Sequence, residues 1–106
     1  MLIGAVTDDN GQLNVKSMDA ALERFGDRKA EAQKVYDPNN TGDAADVGRR
    51  VGSDGNQVEP ARWLAGVVGA QGMPTYLYRF SYRTQLLSER WKRGAPHAAE
   101  LAYTFN

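Results

Sequence analysis

Thr75 to Tyr82 alternates strictly, with Tyr76, Tyr78, Phe80 and Tyr82 on one side and Thr75, Leu77, Arg79 and Ser81 on the other. Period two over eight residues predicts a β-strand with two different faces. Leu2-Ile3-Gly4-Ala5-Val6 is a short apolar run ending in the polar Thr7-Asp8-Asp9-Asn10-Gly11, the pattern of a strand buried on both faces followed by a turn. Between the two lie helix signals. Ser17 is placed to cap a helix carrying Met18, Ala21, Leu22 and Phe25 at i, i+3, i+4, i+7 spacing, with Gly26 to end it. A second helix is expected from Asp27 as cap to Tyr36, closed by Asp37-Pro38-Asn39-Asn40, and a third from Asp43 to Val51. Ser53-Asp54-Gly55-Asn56 reads as a turn, and Pro60 suits the first position of a helix burying Trp63, Leu64, Val67 and Val68 before Gly69 and Gly72 stop it. Leu86, Leu87 and Trp91, then Ala98, Leu101, Ala102 and Phe105, repeat helical spacing on either side of Gly94-Ala95-Pro96.

These segments predict an α/β or α+β fold with two or three strands packed by about five short helices. At 106 residues with 42% apolar content, the chain is expected to form a single small domain over 1–106. Thirteen basic residues balance thirteen acidic ones, so no net field gathers phosphate backbones, and nucleic acid is not an expected partner. No apolar run approaches the roughly 20 residues of a membrane span, and Met1 to Val6 lacks the basic leader and long apolar region of a signal peptide. No membrane partner and a cytoplasmic location by default are the expectations. Without cysteine, disulfides and thiolate metal sites are ruled out.

His97 is the chain's one histidine and follows a Gly-Ala-Pro turn, a placement that holds a ring on a loop where it could serve as a general base. Asp8 and Asp9 have a plain reading as turn formers that bond nearby amides. The strand aromatics are expected in core or interface packing, Trp63 and Trp91 in the core, and Arg79 in an ion pair. Glu100, three residues after His97, could share a helical face with it; a lone His-x-x-Glu pair does not make a metal site, and no metal or other cofactor is expected.

The order Leu2-Ile3-Gly4, Thr7-Asp8-Asp9, Phe25-Gly26-Asp27-Arg28, Tyr36-Asp37-Pro38, Pro60 to Ala65, Pro74 to Tyr82 and Gly94 to Phe105 resembles the C-terminal third of type B carboxylesterases, the cholinesterase-like branch of the α/β-hydrolases. The Tyr-Leu-Tyr-Arg-Phe-Ser-Tyr strand and Gly-Ala-Pro-His-x-x-Glu-Leu-x-Tyr-x-Phe carry most of the likeness. It implies a partial α/β-hydrolase-like unit in which His97 matches the catalytic histidine and Asp9 the acid. The family's acid is usually a glutamate in an Asp-Glu-Gly-like turn, so Asp8 stays a rival, and Glu100 is structural by the same match.

The family's chain order is serine, acid, histidine, with the serine on a Gly-x-Ser-x-Gly elbow. None of Ser17, Ser53, Ser81 and Ser88 stands in that motif, and no Gly-Gly-rich segment offers oxyanion amides. The resemblance therefore implies a truncated esterase segment holding two members of a triad, with no nucleophile and no activity alone. Two partners would complete or cover such a segment: a second copy in a homo-oligomer, or a complementary hydrolase fragment. A module in which Tyr76, Tyr78, Phe80 and Arg79 bind flat ligands is the remaining alternative.

Overall fold

In the computed structural model, which describes residues 1–9 and 14–104, two strands pair in parallel: β1 (Leu2–Val6) and β2 (Tyr76–Phe80), with Leu2 opposite Tyr76 and Val6 opposite Phe80. The architecture is mixed helix and strand. Among the described residues six α-helices accompany the pair: α1 (Met18–Ala21), α2 (Lys29–Tyr36), α3 (Ala44–Ser53), α4 (Glu59–Ala70), α5 (Gln85–Ser88) and α6 (Leu101–Thr104). A 3-10 stretch spans Glu23–Arg28 and a π-helical one Asp54–Val58. Residues fall into two compact units, one of Met1–Asn10 with Gly55–Asn106, the other of Gly11–Asp54.

In the strand-containing unit, Ala5, Val6, Ala61 and Ala95 are buried, and α4 packs on both strands. Small side chains let the helix lie close to the sheet. Trp63 does not anchor this core, contrary to expectation: it is 70% exposed. The helix turns Ala61, with Ala65 and Val68 half-way to burial, toward the strands. Trp91 is partly buried, and among the described residues Arg79 enters none of the ion pairs. One end of the aromatic face of β2 meets Tyr103, whereas Tyr76 on that face is 67% exposed and Tyr82 is exposed too, so neither lies in the core. Phe80 lies 5.5 Å from Tyr103 and Tyr82 5.3 Å edge-on to it, ring to ring. Pro60 stands in the first turn of α4, which begins one residue earlier.

The helical unit is organised around Ala21, Leu22, Ala32, Val47 and Val51, with Val15, Met18, Phe25 and Tyr36 packed against them. Ser17 accepts from the Ala20 amide, the cap expected from the sequence, and Asp43 accepts from the Asp46 amide. The first helix is shorter than its periodicity predicts. It gives way at Leu22 to the 3-10 stretch, inside which Gly26 takes φ +52°, a backbone that L side chains resist. Asp27 consequently sits inside that stretch and caps nothing. The expected turn at Ser53 to Asn56 is likewise absent: the chain stays helical there, and the Asp54 carboxylate is taken by the Tyr36 hydroxyl at 2.6 Å instead of a local amide.

Asp37 closes α2 and is itself a capping group, its carboxylate accepting the Gly42 amide at 2.9 Å, the Thr41 amide at 2.8 Å and the Thr41 hydroxyl at 2.9 Å. The Gly42 amide, then the Thr41 amide, hold its pKa below the ordinary carboxylate value of 3.8, against the opposing effect of burial. A carboxyl group depressed by folding adds stability above its unfolded value, and that stability is lost as pH falls through the lower folded value. Acid unfolding of Asp37→Asn is therefore expected to lose part of its dependence below about pH 4, where the unfolded group titrates. Circular dichroism across pH 2 to 6 checks this, and an unchanged profile counts against it.

Candidate functional site

The end of β1 sets up the site. Thr7 continues the pairing, its amide donating to Phe80 O at 3.0 Å, and the Asp8 amide then donates to Ala95 O at 2.9 Å in an isolated parallel bridge with Pro96. The Thr7 hydroxyl accepts the Ala95 amide at 2.8 Å, so the turn after β1 and the Gly94-Ala95-Pro96 segment are fastened twice. Gly94 has φ +143°, and a Cβ there would stand 2.5 Å from the Thr7 hydroxyl oxygen. Only glycine lets the segment come this close in this conformation.

That fastening delivers His97 to Asp9. His97 Nδ1 lies 2.7 Å from Asp9 Oδ1, and Asp9 Oδ2 accepts the Val6 amide at 3.2 Å. Asp9 is 6% exposed, whereas the His97 side chain is 57% exposed. An ionised carboxylate can only accept hydrogen bonds, so in the neutral ring Nδ1 carries the proton and Nε2 the free lone pair. A buried acid thus fixes ring orientation and tautomer, and the basic nitrogen is left for a donor outside the pair. The Asp9 carboxylate is on the imidazole, and the backbone of its neighbour Asp8 forms the bridge with Pro96.

A second pair lies beside the first. Tyr78 OH donates to Glu100 Oε1 at 3.4 Å, while Glu100 Oε2 is sealed from solvent with no partner among the described residues. Burial, followed by the charges of Glu100 and Asp9, pushes the Tyr78 phenol above its ordinary value, which keeps it a neutral donor. The sequence offered no sign of this contact beyond the His-x-x-Glu spacing.

Four hydroxyls of the same unit are engaged with backbone. Thr84 caps α5 through the Leu87 amide, Ser88 donates to Gln85 O, Thr75 to Met73 O, and Thr7 receives Ala95. Among the described residues none bonds to His97, and no three His, Cys, Asp or Glu side chains converge as metal ligands. No helix is long and apolar enough to cross a membrane among those residues. The chain matches no family model, no curated protein and no solved structure.

Proposed function

We propose that this chain is the acid-and-histidine portion of a serine ester hydrolase of the type B carboxylesterase kind, inactive toward esters by itself and working, if completed, in the cytoplasm. The observation that supports it is the 2.7 Å contact between a buried aspartate and an exposed histidine, held on two loops that a parallel strand pair brings together. In such a pair His97 Nε2 takes the proton of a serine hydroxyl and returns it to the leaving alcohol, while Asp9 stabilises the imidazolium. The strand pair with α4 against it reads as a piece of an α/β-hydrolase sheet. The sequence holds no serine elbow and no oxyanion amides, so these have to come from another polypeptide segment.

A chromogenic short-chain ester separates the possibilities. The chain alone is expected to show no turnover that disappears in His97→Ala; histidine-dependent hydrolysis would refute the claim that it is inactive alone. Mixed with a fragment supplying a Gly-x-Ser-x-Gly elbow and its oxyanion loop, it is expected to gain hydrolysis that His97→Ala abolishes. Failure of every such mixture removes the support for a complementing role.

A second reading, self-association without catalysis, has its own observation. Trp63 is 70% exposed, Tyr76 67% and Leu77 52%, on and beside a parallel pair that has no third strand among the described residues. Parallel sheets are seldom left open at edge and face, because neither the backbone groups nor the apolar surface is satisfied by water as well as by protein. Light scattering behind size exclusion is expected to give at least twice the 11.7 kDa of one chain; a stable monomer counts against this reading.

A further inference from the structure

We infer that Tyr78 and Glu100 are positioning residues for His97, stapling shut the turn that carries it. The inference rests on the acid–histidine reading above and deepens it. Between His97 and Glu100 lies Ala98, whose φ is +64°. A non-glycine residue in the left-handed region persists only where its surroundings hold it there from both sides.

Both sides are visible. On one, His97 Nδ1 is tied to Asp9; on the other, Glu100 Oε1 is tied to the Tyr78 hydroxyl. The Ala99 amide adds a bond to Pro96 O at 3.0 Å across the same turn. Tyr78 is a firm anchor because its ring occupies a notch made for it. A Cβ on Gly4, its partner across the strand pair, would stand 2.6 Å from the ring. The sealed Glu100 Oε2 shows that the carboxylate is turned inward toward the protein, with the Tyr78 hydroxyl as its partner among the described residues. Removing the Glu100 tie takes away the side-chain bond nearest Ala98 on its far side, leaving there the Ala99 amide bond to Pro96 O and the Tyr103 ring, three residues further on, against Phe80 and Tyr82. Ala98 then relaxes toward an ordinary backbone and draws the imidazole off Asp9.

The signature of the Asp9–His97 bond is a downfield Nδ1 proton in the NMR spectrum of the intact chain. It is expected to be sharp in the wild type and in Glu100→Gln, whose amide oxygen still accepts from Tyr78. It is expected to be lost by exchange in Glu100→Ala and in Tyr78→Phe. Because Ala98→Gly removes the strain that drives the turn open, the signal should return in the Ala98→Gly, Glu100→Ala double variant. Return of the signal separates positioning from plain loss of folding, which a glycine would not repair. Persistence of the signal in Glu100→Ala, or its absence from the double variant, overturns the staple. Absence of the signal from the wild type overturns the acid–histidine pair itself, a failure of the underlying reading and not of the staple alone.

Discussion

Leu22→Ala is expected to unfold most of the helical unit at room temperature. Leu22 is 2% exposed and is the largest side chain in a core otherwise built from Ala21, Ala32, Val47 and Val51. Cutting a buried leucine to alanine costs about 2–5 kcal/mol, the higher values arising where neighbours cannot close the cavity. Alanines and valines fixed on three helices have little reach with which to close it. A segment of the size of Gly11–Asp54, at about 0.05–0.15 kcal/mol per residue, has only a few kcal/mol in total. The loss is therefore comparable with the whole. Both tryptophans, Trp63 and Trp91, lie in the other unit, so amide exchange on α3 is the appropriate readout. Exchange there is expected to approach that of the unfolded chain, whereas Val35→Ala, at a position 73% exposed, should shift stability by no more than about 0.5 kcal/mol. Protection of α3 that survives Leu22→Ala would mean that the core is held by something other than this cluster.

The second large effect is expected of Gly4→Ala, a change of one methyl group. The added carbon would stand 2.2 Å from the carbonyl oxygen of Tyr78 and 2.6 Å from its ring. A flexible side-chain tip could move aside; a backbone oxygen in the paired strand cannot do so without parting the strands. Overpacking of this kind costs about 1–3 kcal/mol and occasionally more. Here the cost falls on the pairing that aligns both loops of the site. Amide exchange at Thr7 and Tyr76, which bond across the ends of the pair to Phe80 O and Met1 O, is expected to rise together with loss of the His97 downfield proton. Gly66→Ala is the control: no atom lies within 4 Å of the new carbon, and alanine in place of a mid-helix glycine should stabilise by about 0.5–1 kcal/mol. Equal tolerance of both substitutions would argue that the strands are not in this register.

The parts of the fold that were readable in advance are those governed by neighbours in sequence. Ser17 declared itself as a cap, Pro60 as a helix start, and the alternation around Tyr78 as a strand. Misreadings arose where a local signal was outcompeted. Helix α4 is apolar on nearly every side, so its periodicity does not single out the buried face; bulk favoured Trp63, while close packing on two strands selected Ala61. Asp54 had the chemistry of a turn, but the Tyr36 hydroxyl claimed it. The site was legible only as an order of motifs. No spacing rule joins Asp9 to His97 across 88 positions, and the Tyr78–Glu100 contact across 22 is equally silent in the sequence.

The separation of Asp9 and His97 also fixes a timetable. Gly11–Asp54 is contiguous and can close its own core as soon as it is synthesised, whereas the unit holding the site joins residues from before and after it. Closing so long a loop is entropically slow, although the cost grows only logarithmically with length. During synthesis β1 has to wait, with its hydrogen-bonding groups solvated, until β2 and then the Gly94 segment emerge. The intervening helical unit, once folded, shortens the effective loop that remains to be closed. The Asp9–His97 contact is consequently expected to form late in folding, and its NMR proton would mark the moment at which the two separated pieces have met.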